Sequence, residues 1–156
     1  MSDSPGIYIH VPFCRTKCVY CDFYSVTDCG SAERFLRAVE TEAAMRTEEI
    51  SGPAGSLYVG GGTPSAIAPE LVSRLPDIVS SSHGLERGAE VTIEVNPDDI
   101  TPAALEAYLA GGFNRISIGV QSFDDSELSF LGRRHDAAGA AAAIEAARGA
   151  GFGRIG

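Results

Sequence analysis

At 156 residues, 44% of them hydrophobic, the chain has the size of one domain and enough apolar material for a core. Its net charge of -9, from 21 acidic against 12 basic side chains, argues against a general nucleic-acid or anionic-membrane binder, although local basic sites remain open. No apolar run approaches the roughly 18 residues of a spanning helix, and the start Met1-Ser-Asp-Ser-Pro5 lacks a basic region followed by an apolar stretch, so a cytoplasmic protein without an integral membrane segment is expected.

Short apolar runs alternate with helical patterns along the chain. Ile7 to Val11 reads as a first strand and Ala32 to Ile50 as a helix, with Phe35, Leu36, Val39, Ala43 and Ile50 broadly on one side. Leu57 to Val59 is a second strand running into Gly60-Gly-Gly-Thr-Pro64, and a helix starts near Pro69, with Pro76 expected to kink it or end it early. Val91 to Val95 is the third strand. Thr101-Pro102 is a cap and first-turn pair for a helix that stops at Gly111-Gly112. Arg115 to Val120 is the fourth strand, followed by a short helix over Asp125 to Leu131. Asp136 caps an Ala-rich helix ending at Gly149, and Phe152 to Ile155 begins a fifth strand.

This alternation implies an α/β fold with parallel strands, right-handed crossovers and closure as a barrel or partial barrel: about four βα units plus the start of a fifth strand. A full eight-unit barrel needs about 250 residues, so residues 1–156 read as one barrel domain truncated at its C-terminus, with an unpaired last strand. The chemically unusual segments, namely the cysteines, the glycine run, Asn96-Pro97 and Gln121-Ser122, each follow a strand. In such barrels that end of the sheet builds the active site, so the four segments are expected on one face.

Cys14, Cys18 and Cys21 stand with three and then two residues between them. Three thiolates ligate three irons of a four-iron cluster and leave one iron open to a small molecule. Zinc would want a fourth ligand, for which His10 is the nearby candidate, and a disulfide is the other alternative. Cys29 stands apart as a bystander. The glycine run exposes backbone groups to close approach by a polar ligand, against the plain reading of a turn. Glu94 and Asn96 alternate to one side of the third strand, where a carboxylate facing a barrel interior is costly unless it binds something. Gln121 can recognise a carboxylate, an amine or a ribose hydroxyl. Arg133, Arg134 and His135 form a basic cluster, from which one arginine can hold a ligand carboxylate or which is simply a solvated charge run. Tyr8 and Tyr20 flank the cysteines, as packing for a cluster or as plain core.

Taken together, Tyr8-Ile-His-Val-Pro-Phe-Cys14, Gly60-Gly-Gly-Thr-Pro-Ser65, Glu94-Val-Asn-Pro97, Asn114 to Phe123 and Leu131-Gly-Arg-Arg-His135 resemble the radical S-adenosylmethionine (SAM) superfamily. Within it the chain is similar to the branch of oxygen-independent coproporphyrinogen III oxidases and haem chaperones of the HemW type. The resemblance implies a [4Fe-4S] cluster on Cys14, Cys18 and Cys21, with SAM chelating the open iron and cleaved by one electron from the cluster to a 5′-deoxyadenosyl radical. It also implies SAM contacts from Tyr8, Tyr20, Gly61, Gly62, Thr63, Glu94, Gln121 and Arg133. The partners implied are an electron donor and haem or porphyrin, with haem-binding residues expected in a C-terminal half beyond Gly156. The oxidases carry a further cysteine two residues after the third, where this chain has Phe23. Cys21-Asp22-Phe23 therefore favours the chaperone group over an oxidase, and an inactive fragment is the third reading.

Overall fold

Every second residue of the strands is apolar and packs against helices, and this pattern organises the molecule. The computed structural model describes residues 4–156; the first three positions of the start that was read as lacking a leader lie outside the described residues. Five strands, β1 (Gly6–Val11), β2 (Ala54–Gly61), β3 (Leu85–Val95), β4 (Arg115–Ile118) and β5 (Arg154–Ile155), form one sheet in sequential order. All neighbours are parallel, with Tyr8 opposite Tyr58, Tyr58 opposite Thr92, Glu94 opposite Ser117 and Ile116 opposite Ile155. This is the N-terminal part of a TIM-like partial barrel, as the alternation of elements predicts.

The crossovers are helical: α1 (Ala32–Met45), α2 (Pro69–Val72), α3 (Leu75–Ser82), α4 (Pro102–Ala110), α5 (Asp125–Phe130) and α6 (Ala137–Ala150). Ile9, Val11, Leu57, Val59, Val91, Ile93, Val95, Ile116 and Ile118 form one buried core with Leu36, Leu75, Leu105, Tyr108 and Phe113. Burying each such Leu, Ile or Val contributes on the order of 1.5–3 kcal/mol. The alternate positions Tyr8, His10, Tyr58, Glu94 and Ser117 are not fully buried and line the opposite, concave side. A sheet with one greasy face and one polar interior is thus written into period-two alternation.

Local signals hold at most boundaries. Thr101 accepts from the Ala104 N–H at 3.1 Å and Asp136 from the Gly139 N–H at 2.7 Å, capping α4 and α6. Gly151, at φ 110°, supplies the left-handed residue that ends α6. Pro76 falls in the first turn of α3, so the chain breaks into α2 and α3 just ahead of it.

Several boundaries differ from expectation, among them the start of β2 at Ala54 and of β5 at Arg154. Helix α1 ends at Met45 instead of Ile50: Glu48 and Glu49 would place negative charge at a helix C-terminus, and the Arg46 carbonyl is bonded by His83 instead. Strand β2 takes in Gly60 and Gly61, which pair with His10 and Val11, so the glycine run begins inside the sheet. Strand β3 begins at Leu85, six residues early: Leu85 pairs with Ala54 of β2 and the register then slips before Ser56 meets Glu90, over a segment with no apolar run. Strand β4 stops at Ile118 because the Val120 N–H turns back to the Ile118 carbonyl at 2.8 Å. No helix among the described residues is long and apolar enough to cross a membrane.

Candidate cofactor-binding site

The cysteine segment leaves β1 through Pro12 and is pinned at once to its neighbours. Phe13 is buried, packs edge-on against Phe35 at 5.5 Å and bridges to Val26. The Cys14 N–H donates to the Val26 carbonyl, and the Phe13 carbonyl accepts from the Thr63 N–H at 2.7 Å. The Cys21 N–H closes a turn onto the Cys18 carbonyl at 3.1 Å. The segment's entry is thus rigid, and Cys18 and Cys21 sit half-buried beyond it.

The four post-strand segments do converge. One cavity of about 480 Å³ is lined by Cys14, Cys18, Tyr20, Cys21, Gly61, Gly62, Thr63, Glu94, Gln121 and Arg133 among others. That volume lies within the range of small-molecule sites. Of the eight SAM contacts that the resemblance implies, Tyr8 alone is not on its wall. It stands lower on the concave face, stacked on Tyr58 at 6.2 Å and bonded to His10 at 3.1 Å.

Arg133 crosses the cavity floor. Its Nη2 donates to Asn96 Oδ1 at 2.8 Å and to the Gly119 carbonyl at 2.6 Å, while Nη1 lies 3.3 Å from the Tyr20 hydroxyl and 3.7 Å from Cys18 Sγ. Its Nε is buried without a partner. An unpaired buried donor beside a roomy cavity favours an anionic ligand group. Thr63 Oγ1 stands 3.5 Å from Cys14 Sγ, so both of these sulfurs have a polar neighbour.

Glu94 is neither solvated nor bare. Tyr58 donates to Oε1 at 2.6 Å and the Gly61 N–H to Oε2 at 3.2 Å. A carboxylate has about four acceptor positions, so room remains for ligand hydroxyls. Burial, then the hydrogen bond to Glu94, keeps the Tyr58 phenol above its ordinary pKa and hence protonated. The glycine run's donors are likewise committed: the Gly62 N–H goes to the Val11 carbonyl at 2.9 Å and the Thr63 N–H to Phe13. Beyond these donors, the segment offers a ligand carbonyl oxygens.

Among the described residues no three His, Cys, Asp or Glu side chains stand close enough to share a single ion. His10, the candidate fourth zinc ligand, spends both ring nitrogens on the Tyr8 hydroxyl and the Tyr24 carbonyl. Zinc needs its ligands within about 2.3 Å of one point. Cys14, Cys18 and Cys21 share one cavity wall, a disposition that fits three-thiolate ligation of a cluster. Cys29 lies off this wall, and burial pushes its thiol pKa up.

Asp99 is a residue the sequence did not single out. Its carboxylate is 4% exposed, and it accepts from Arg15 Nε at 2.9 Å, Ser65 Oγ at 2.9 Å and Arg134 Nη2 at 3.3 Å. Arg15 lies between Cys14 and Cys18, so this carboxylate ties the cysteine segment to the turn after β3. The signal was present in Asp98-Asp99 following Asn96-Pro97, but acidic pairs after a strand are common. Asp99→Ala will lower stability by about 1–3 kcal/mol in denaturant titration, the cost of losing a set of charge-assisted bonds. The half-exposed arginines can rehydrate, which keeps the loss below that of stranding a buried charge.

The model of the Radical SAM superfamily matches residues 8–155. The heme chaperone HemW of Mycobacterium tuberculosis is 39% identical over 152 residues, covering 94% of this chain and 39% of that protein. The mitochondrial radical S-adenosyl methionine domain-containing protein 1 of Bos taurus is 37% identical over 139 residues, 87% of this chain and 31% of that protein. Among solved structures, coproporphyrinogen III oxidase (HemN) from Escherichia coli superposes with a TM-score of 0.85 at 32% identity, over 97% of this chain and 36% of that one. The chain thus spans about two-fifths of the length of the HemW relative. Because the family match begins in β1 and ends in β5, it takes in the whole sheet and every wall of the cavity, and the chain belongs to the radical SAM superfamily.

Proposed function

We propose that this domain holds a [4Fe-4S] cluster on Cys14, Cys18 and Cys21, binds SAM in the adjoining cavity, and serves a protein that handles haem as a chaperone. When bound, the cluster supplies an electron to the sulfonium of SAM. The chain's own groups would do the rest. The Arg133 guanidinium on the cavity wall offers its charge to the ligand carboxylate, and the glycine-run carbonyls accept from its ammonium. Glu94, held by Tyr58 and Gly61, has acceptor positions left for ribose hydroxyls, and Gln121 adds a neutral carboxamide to the same wall. Thr63 and Arg133 place donors beside the sulfurs of Cys14 and Cys18, which tempers thiolate charge.

The observation that carries the chaperone reading is Phe23. It lines the cavity, 63% exposed, at the position where the oxidases this chain resembles carry another cysteine. The relatives named as heme chaperones agree with it. The close superposition on coproporphyrinogen III oxidase favours a second reading, porphyrinogen decarboxylation. A chain carried to the full length of the HemW relative, anaerobically reconstituted and supplied with an electron donor, is mixed in parallel with haem and with coproporphyrinogen III. Retention of haem on gel filtration without conversion of the porphyrinogen is expected. Decarboxylated product with no haem retained would overturn the chaperone reading.

A further inference from the structure

Gln121 is the only non-glycine residue with positive φ among the described residues, at 71°. A left-handed glutamine costs energy and persists only where its surroundings over-determine it. The backbone before it is gripped three times: the Gly119 N–H donates to the Val95 carbonyl at 2.9 Å, Arg133 holds the Gly119 carbonyl, and His135 Nε2 donates to the Val120 carbonyl at 2.9 Å. The His135 side chain is 2% exposed, immediately before the Asp136 cap of α6, so its ring is fixed by a rigid element. Its other nitrogen has no hydrogen-bond partner and lies 3.7 Å from Asp98 Oδ2. The basic run Arg133-Arg134-His135 is therefore not a solvated charge face, since its third member is buried against the peptide that carries Gln121.

We infer that His135 is a positioning residue, whose ring N–H to the Val120 carbonyl holds the strained turn that aims Gln121 into the cavity. As a readout, SAM affinity rests on the function proposed above, whereas the geometry of the turn does not. Three variants separate positioning from packing. His135→Leu keeps bulk without a donor, His135→Gln restores an N–H donor, and Gln121→Ala removes the side chain being aimed.

Amide exchange of the metal-free 156-residue chain is measured first. His135→Leu is expected to speed exchange about tenfold or more at Val120, whose N–H is bonded to the Ile118 carbonyl, with His135→Gln near wild type. SAM binding to the reconstituted chain is measured by equilibrium dialysis. His135→Leu is expected to weaken it about 5- to 10-fold, and to add less than about twofold in the Gln121→Ala background, the non-additivity of residues acting through one another. Unchanged exchange at Val120 would overturn the inference, and so would a His135→Leu loss of equal size with and without Gln121. Failure of the wild-type chain to bind SAM would count against the proposed function alone, and the exchange result would still decide the role of His135.

Discussion

Gly62→Ala will sharply lower cluster loading by the chain. A Cβ at position 62 would lie 2.7 Å from the Phe13 carbonyl oxygen, 3.1 Å from the Pro12 carbonyl carbon and 3.1 Å from Cys14 Sγ. Two of those neighbours are backbone, whose carbonyls are held by the Thr63 and Val26 N–H groups, so no side chain can swing away to relieve the clash. The added methyl must push the cysteine segment off the sheet, at a cost on the order of 1–3 kcal/mol. The thiolate nearest the displaced backbone then loses its place on the cavity wall. Iron and sulfide analysis after anaerobic reconstitution reads the effect, with Gly149→Ala as the control. Position 149 lies near the end of α6 with open space around its missing Cβ, and alanine there should stabilise by up to about 1 kcal/mol. Loading of Gly62→Ala equal to wild type would show that the close approach of β2 to the cysteines is dispensable.

Glu94→Ala is expected to have the second largest effect, on SAM affinity. The substitution removes a carboxylate with acceptor positions to spare, and it leaves the Tyr58 hydroxyl and the Gly61 N–H without their acceptor. A charge-assisted bond lost at a partly buried site is worth about 1.5–3 kcal/mol, so binding should weaken about 10- to 100-fold. Equilibrium dialysis with the reconstituted variant measures this, while iron content should stay near wild type because Glu94 bonds to none of the cysteines. An unaltered affinity would place the ligand elsewhere.

The architecture was legible because its signal is periodic. Ile7 to Val11, Val91 to Val95 and Arg115 to Ile118 carry the two-residue alternation that a parallel sheet with a helical layer imposes, and the caps at Thr101 and Asp136 are local chemistry. The convergence of the four post-strand segments was legible for a topological reason: parallel strands deliver every such segment to one edge. Less visible was what depends on partners far along the chain. The N–H groups of Gly62 and Thr63 are consumed by β1's exit instead of being left for a ligand, and only the register of β1 against β2 shows this. Asp99 and His135 owe their places to residues 84 and 15 positions away, Arg15 and Val120, and a linear pattern has no means of pairing them. Tyr8 sits in the strand as expected, yet the stacking on Tyr58 holds it below the cavity wall.

Anaerobic reconstitution of the 156-residue chain with iron and sulfide, followed by reduction and electron paramagnetic resonance with and without SAM, tests the central claim most directly. About four irons and four sulfides per chain are predicted, with a reduced-cluster signal whose g-values shift when SAM is added. Replacing Cys14, Cys18 and Cys21 together by alanine should remove both iron and signal while leaving the fold intact by circular dichroism. A signal that ignores SAM, or iron bound equally by the triple variant, would contradict the account.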